Sequence, residues 1–201
     1  MILNLLNQNR LDDQSLRRVR IFEHLDQYEG DAALKHILIE NRDNGGNRML
    51  FAFPADNNPN NILTYYLKWG NDAGLYIDLP KNNPETALFL TAELTGCFVG
   101  VQDLGDCYRI RHYNFQQENI NGDDLVRHNF NNNLVHWLAP ERGNIEAELR
   151  RCHIPYELYG KQGIYYQWNN PVVFWGEYVN NDWVFYYQTT DGFIHQFKIF
   201  N

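Results

Sequence analysis

Cysteine is scarce in this 201-residue chain, which has three: Cys97, Cys107 and Cys152. Their number is odd and no pair has the C-x-x-C spacing, which argues against a disulfide framework and against a structural zinc site. We therefore expect free thiols in a reducing compartment.

Positive charge and long apolar runs are scarce as well. The chain has 17 Lys and Arg against 25 Asp and Glu, a formal net charge of −8, and the basic residues are scattered. Such a chain offers no patch for a phosphate backbone or anionic lipid, which disfavours nucleic acid and membranes as partners. No run approaches about 18 apolar residues, and "MILNLLNQNRLDD" lacks the basic region of a signal peptide. We expect a soluble protein made without a classical export signal.

The chain is instead rich in residues that favour strands, with 44% hydrophobic and 15% aromatic residues. Segments with β-branched and aromatic side chains alternate with Asn, Asp, Gly and Pro clusters, which is typical of antiparallel β-structure. The predicted strands are 35–42, 48–54, 63–69, 74–80, 86–94, 97–104, 107–115, 171–179, 183–190 and 193–200. The last three predict an antiparallel meander.

Two helices are predicted around this sheet structure. In "SLRRVRIFEHLDQY", 15–28, apolar residues recur at spacings near three, and "NIEAELRRC", 144–152, opens with a capping Asn followed by acidic residues. No linker or repeat divides the chain. The expected fold is therefore mainly β (α+β), a β-sandwich-like antiparallel core with peripheral helices, in one domain spanning 1–201.

One predicted hairpin brings a cysteine and a histidine together. A two-residue turn at Gly105 and Asp106 pairs Val99 with His112, so Cys97 and His112 become diagonal neighbours on the apolar face of the hairpin. Diagonal backbone positions lie about 7–8 Å apart, close enough for the side chains to meet. A shift of one residue would place them on opposite faces, so the pairing depends on the turn.

A thiol beside an imidazole is a standard nucleophile and base pair. The imidazole can take the thiol proton or stabilise the thiolate, which then attacks an amide carbonyl. Gly96, directly before Cys97, allows a sharp turn and a close approach of backbone N–H groups to a developing oxyanion. Cys107 falls on the opposite face of the hairpin and is the poorer nucleophile.

The segment "LTAELTGC", followed by an apolar strand and "RIRHYN", resembles the catalytic core of the bacterial toxin glutamine deamidases of the cytotoxic necrotizing factor and Burkholderia lethal factor 1 type. These enzymes carry a Leu-Ser-Gly-Cys motif and a catalytic His one strand later. Here the motif reads Leu94, Thr95, Gly96 and Cys97, with Thr in place of Ser, and the histidine is His112.

The resemblance implies a function and roles for its residues. Cys97 would be the nucleophile, His112 its activating base, and the main-chain carbonyl of Thr91 the group that orients the histidine. The reaction would convert a glutamine of a host protein to glutamate without a cofactor. The family's targets are Rho-type GTPases and a translation-initiation RNA helicase. The resemblance thus implies a monomeric toxin, made in the bacterial cytoplasm and acting in the host cytosol after delivery by an unspecified route.

Other interpretations stay open. The five Trp and thirteen Tyr could form a platform that binds carbohydrate or protein, although "WVFYYQTT" is bulky at both even and odd positions, which favours burial on both faces. A transglutaminase-like or papain-like enzyme would use a histidine far downstream, such as His153 or His195. His128 and His136 lack nearby acidic or cysteine partners, and the adjacent Cys152 and His153 point apart, so neither set predicts a metal site.

Overall fold

The computed structural model describes residues 18–21, 33–44, 47–54, 62–68, 74–113, 135–141, 163–167, 171–188 and 194–199. These residues form thirteen β-strands. The strands are β1 Arg18–Ile21, β2 Ala33–Asn44, β3 Asn47–Pro54, β4 Ile62–Leu67, β5 Gly74–Pro80, β6 Leu88–Thr91, β7 Phe98–Asp103, β8 Cys107–Tyr113, β9 Val135–Glu141, β10 Gly163–Gln167, β11 Val173–Val179, β12 Asp182–Gln188 and β13 Ile194–Phe197.

The strands form two sheets. The eight-stranded sheet has the order β1-β3-β2-β4-β6-β11-β12-β13, and the five-stranded sheet has the order β10-β9-β7-β8-β5. Most neighbours are antiparallel, and the parallel pairs are β1 with β3, β4 with β6, and β9 with β10. The mainly β fold predicted from the sequence is confirmed, and the meander β11-β12-β13 has the predicted antiparallel pairing.

The two sheets pack face to face around one hydrophobic core. Aromatic rings fill much of it: the rings of Phe174 and Phe185 stack with centroids 5.8 Å apart, and Tyr108 of β8 meets Phe185 of β12 edge to face at 5.5 Å. The latter contact joins the two sheets directly. The core draws from both sheets and comprises Tyr65, Leu67, Ile77, Leu79, Phe89, Leu94, Cys97, Val99, Val101, Tyr108, Ile110, Leu138, Val172, Phe174, Trp183, Phe185 and Phe197.

The central strands of the eight-stranded sheet are buried on both faces. Phe89 and Phe174 point into the core between the sheets, whereas Leu90 and Trp175 point to the other face, and all four are fully buried. Trp175 also donates a hydrogen bond from Nε1 to Oε1 of the buried Glu177 at 3.3 Å. The bulky residues at successive positions of β6 and β11 therefore fill two apolar layers. In β12, for which the sequence predicted burial on both faces, Trp183 and Phe185 are buried, whereas Val184, Tyr186 and Tyr187 are half-buried.

The predicted helix 15–28 is wrong where the structure describes it. Arg18–Ile21 is strand β1, paired in parallel with β3. The sequence RVRI also alternates with a period of two, and a short segment of mixed periodicity takes the conformation in which a neighbouring strand completes its backbone hydrogen bonds. The second predicted helix, 144–152, lies outside the described residues.

No helix among the described residues is long and apolar enough to cross a membrane. The prediction of one domain over 1–201 stays a prediction.

Candidate functional site

The predicted motif lies where the chain crosses from one sheet to the other. Strand β6 ends at Thr91 in the eight-stranded sheet, and β7 begins at Phe98 in the five-stranded sheet. Leu94 anchors the crossing through two backbone hydrogen bonds with Val172, of 2.8 and 2.9 Å. Gly96 then has φ of +116°, a backbone conformation that residues with a Cβ rarely adopt. The turn into Cys97 therefore requires glycine.

The β7–β8 hairpin has the predicted register. Val99 pairs with His112, Leu104 N donates to Cys107 O at 3.0 Å across the turn, and Gly105 has φ of +93°. A turn with glycine at its first central position and positive φ there matches the right-handed twist of the flanking strands.

Cys97 and His112 both lie in the layer between the sheets. Cys97 directly precedes β7, two positions before Val99, and is one of the core residues. Its side chain is 6% exposed and that of His112 is fully buried. Because Val99 is the direct partner of His112, Cys97 occupies the diagonal position on the same face, at the start of the hairpin.

The two ring nitrogens of His112 differ in their contacts. Nδ1 lies 2.9 Å from Oγ1 of Thr91, whereas Nε2 has no hydrogen-bond partner among the residues that the structure describes. Burial lowers the pKa of His112 from 6.5 to about 3, so the ring is neutral at neutral pH. An uncharged imidazole is the form that accepts a proton from a thiol.

The structure thus places Cys97 and His112 in one layer without a hydrogen bond to Nε2. The arrangement provides a thiol, a neutral base and an inter-sheet turn.

Thr91 reaches His112 through its side chain. Its hydroxyl lies 2.9 Å from Nδ1, and it donates a hydrogen bond to the main-chain carbonyl of Leu67 at 2.8 Å. The sequence predicted that the main-chain carbonyl of Thr91 orients the histidine, and the atom found in contact is the hydroxyl. The carbonyl of Leu67 was missed because no sequence motif signals the partner of a main-chain oxygen in another strand.

The remaining motif residues frame this turn. Leu94 is fully buried, Thr95 is exposed and Gly96 is buried. Their contribution to an oxyanion hole stays a prediction.

Cys107 lies at the other end of the hairpin, where β8 begins. It is half-buried, and burial together with the nearby carboxylates of Asp78 and Asp106 raises the pKa of its thiol. A thiol held in its protonated form is a poor nucleophile, which agrees with the expectation that Cys107 is the poorer nucleophile of the two thiols.

The structure gives little support to the alternative metal-binding and catalytic residues. Within the described residues no group of three or more His, Cys, Asp or Glu side chains is placed to hold a metal ion. His136 is part of strand β9, His195 lies in β13 with β11 and β12 between it and β6, and His128, Cys152 and His153 lie outside the described residues.

The aromatic side chains that suggested a binding platform are largely internal. Trp175 and Trp183 are at most 3% exposed, and Phe174 and Phe185 are core residues. Among the described aromatics of the meander, these rings contribute to packing and leave little surface for a carbohydrate ring to stack on.

The fold resembles that of a solved structure at low sequence identity. A crystal structure of the C-terminal domain of CNFy from Yersinia pseudotuberculosis aligns with 68% of this chain and 61% of that domain's chain, at a TM-score of 0.37 and 12% sequence identity. No protein-family model matches the sequence, and no curated protein matches it. A similarity of this size gives no information about activity. The function is therefore inferred from the residues of the site.

Proposed function

We propose that this chain is a toxin-like protein glutamine deamidase in which Cys97 is the nucleophile and His112 the general base. One observation carries the proposal: a neutral, fully buried histidine, whose Nε2 has no hydrogen-bond partner among the described residues, lies in the inter-sheet layer that also holds Cys97. A buried polar atom without a partner costs about 1–3 kcal/mol. Such a cost is tolerated where the atom has a chemical task.

The reaction follows from the two groups. Nε2 of His112 takes the proton of the Cys97 thiol, and the thiolate sulfur attacks the carboxamide carbon of a glutamine side chain. The tetrahedral intermediate collapses as the carbon–nitrogen bond breaks, and the imidazolium gives its proton to the departing ammonia. Water, deprotonated by Nε2, then attacks the thioester carbon, and the thiol leaves with a proton from the imidazolium. The products are glutamate and free Cys97.

Burial opposes the charged imidazolium, as the low pKa of His112 indicates. The thiolate formed in the same step is an opposite charge, which offsets part of that penalty. Proton transfer is therefore coupled to the formation of the nucleophile. The exposed Thr95, two residues before Cys97, marks the surface from which a glutamine side chain would approach.

The substrate of the proposal is a host protein, a Rho-type GTPase or a translation-initiation RNA helicase, modified in the host cytosol by a monomer of this chain. The net charge of −8 supports docking on a basic protein surface. Residues outside the motif would determine which host protein is bound.

The test is peptide mass spectrometry of a eukaryotic lysate incubated with the protein and a small primary amine. We expect Gln-to-Glu conversion at a defined site, absent with Cys97→Ser and retained with Cys107→Ser, because only the first thiol faces the histidine layer. Loss of Cys97 should lower the rate by about 10⁴-fold or more.

The same experiment separates the related activities. Incorporation of the amine at glutamine would indicate a transglutaminase, and new peptide termini would indicate a protease. Conversion that survives Cys97→Ser would refute the proposal.

A further inference from the structure

We infer that Tyr76, Arg109 and Arg111 form a docking surface for a short acidic segment of a partner protein, on the outer face of the five-stranded sheet. We call these three residues the arginine–tyrosine patch. The inference goes beyond the proposed function and does not depend on it.

The patch faces away from the candidate site. His112 points into the layer between the sheets, and Arg111 directly precedes it in β8. Because successive side chains of a strand point to opposite faces, Arg111 points to the outer face of the sheet. Tyr76 of β5 is the direct partner of Arg111, and Arg109 lies two residues before Arg111 in β8, so all three share that face. A partner bound here would lie behind His112 and outside the inter-sheet layer.

The ring of Tyr76 is exposed and yet held in place. Tyr76 is 50% exposed, more than any other large apolar side chain that the structure describes. The guanidinium carbons of Arg109 and Arg111 lie over its ring, 4.6 and 5.1 Å from the centre. These cation–π contacts order the side chain before any partner arrives, so little conformational entropy is lost on binding. Tyrosine and arginine are also enriched among the residues that dominate interface energies.

Arg109 is fixed by Asp78 and has donors to spare. Its Nε and Nη2 each donate a hydrogen bond to one carboxylate oxygen of Asp78, both at 2.7 Å. A guanidinium has five N–H donors, and this pair uses two of them. Nη1 has no hydrogen-bond partner in the described part of the chain, and the Arg109 side chain is 20% exposed. The free edge of the guanidinium therefore has the geometry that binds a second carboxylate.

Arg111 has a supporting part. It is buried, so Tyr76 and Arg109 are the groups that a partner would touch directly. Its charge nevertheless adds to the local field, and its contact with the ring helps to hold Tyr76 in the orientation described above.

The charge of the patch identifies the occupant. Its described charged side chains are two arginines and Asp78, a local charge of +1 on a chain whose net charge is −8. Charges further away than about 8 Å are largely screened at physiological salt, so a short acidic segment is bound by the local charge. A large acidic domain or a nucleic acid would extend over the negative remainder of the surface and be repelled. The occupant we propose is therefore a short segment with Asp or Glu at Arg109 and an apolar side chain against Tyr76.

The test selects short random peptides, displayed on phage, for binding to the full-length chain. The enriched peptides are then synthesised with a fluorescent label, and their affinities are measured by fluorescence anisotropy. We expect enrichment of Asp and Glu, affinity that falls as salt rises, and a loss of about 30-fold or more in Tyr76→Ala. Arg109→Lys keeps the charge but loses the planar fork, and we expect it to weaken binding as well.

The matched control is Val179→Ala, which truncates another exposed apolar side chain, in the eight-stranded sheet, and should keep full affinity. Circular dichroism checks that each variant is folded, and Arg109→Lys decides the test if Tyr76→Ala is not. Peptides without acidic enrichment, or acidic peptides that bind the folded patch variants as tightly as the wild type, would overturn the inference. So would tighter binding of a single-stranded oligonucleotide than of the selected peptides. Peptide binding is measured without turnover, so failure of the deamidase proposal would leave this result unaffected.

Discussion

The two ends of the β7–β8 hairpin differ in the hydrogen bonding of their polar side chains. At the turn end, residues 103–108, Asp103 receives hydrogen bonds from Lys81 Nζ at 2.6 Å and from Gly105 N at 2.8 Å. Lys81 also lies 4.2 Å from the centre of the Tyr108 ring, and Tyr108 donates to Asp182 at 3.4 Å. These contacts join the two sheets, since Asp182 begins β12 of the other sheet.

At the open end, residues 97–99 and 112, the histidine is fully buried and one of its nitrogens has no partner among the described residues. Both ends are built from the same two strands with continuous pairing. The strand pairing therefore does not explain the unpaired nitrogen. The difference is that the turn end is partly exposed and its charged groups are paired, whereas the open end holds a buried ring nitrogen for which no partner lies among the described residues. The proposed proton transfer would use that nitrogen.

Among the variants that test this difference between the two ends, His112→Asn is expected to have the largest effect, a loss of deamidation. The Asn side-chain nitrogen takes the place of Nδ1 and can donate to Thr91, but it has no counterpart of Nε2. We expect deamidation to fall by about 10²- to 10⁴-fold, the usual contribution of a general base. The measurement is the Gln-to-Glu rate by mass spectrometry.

The control is His195→Asn, which changes an exposed histidine in strand β13. We expect it to leave the rate unchanged. A strong loss with His195→Asn and none with His112→Asn would move the base to the downstream histidine of a papain-like arrangement.

A second effect, on stability, follows from the low pKa of His112. In the unfolded chain the ring binds a proton below about pH 6.5, whereas in the folded protein it stays neutral down to about pH 3. The unfolded state therefore gains protons first as pH falls. The stability present above pH 6.5 is lost progressively between these values, by up to about 1.4 kcal/mol per pH unit.

Denaturant unfolding of the wild type and His112→Asn at intervals from pH 7 to pH 4.5 would measure this. We expect the difference in unfolding free energy between the two proteins to change with pH in favour of the Asn variant, because that variant lacks the titrating ring. Parallel pH dependences in the two proteins would mean that His112 is accessible to protons in the folded state.

The hairpin was predictable because its turn is local. Glycine followed by Asp between two alternating segments determines a two-residue turn, and the turn determines the register that places Cys97 and His112 on one face. The strand order was not predictable to the same extent. Strands β9 and β10 were not among the predicted strands, although VHW and IYY carry residue types that are usual in strands. The two strands pair in parallel with each other, so no short turn between them signals the pairing.

The partner of His112 could be predicted only in part. The family motif indicated Thr91, but which of its atoms meets the ring depends on the packing of one sheet on the other. The helix predicted at 15–28 was wrong for a related reason. A short segment with apolar residues at spacings near three can form a helix or a strand, and here pairing with β3 makes Arg18–Ile21 a strand.

The smallest expected effect comes from the turn end. Lys81→Met keeps the alkyl chain and removes the charge, so the ion pair with Asp103 and the contact with the Tyr108 ring are lost. Burial lowers the pKa of Lys81, but the hydrogen bond that Lys81 donates to Asp103 and the nearby negative groups outweigh it and raise the pKa, so the wild-type charge is retained at neutral pH. The two side chains are 20% and 24% exposed, and water screens such a pair. We expect a loss of about 0.5–1 kcal/mol in unfolding free energy, reduced in high salt, with deamidation unchanged.

Lys198→Met, at an exposed lysine, serves as the matched control and should change neither quantity. A loss of deamidation with Lys81→Met but not with Lys198→Met would mean that the turn end acts on the site through β8, and the two ends of the hairpin would then have to be treated as one functional unit.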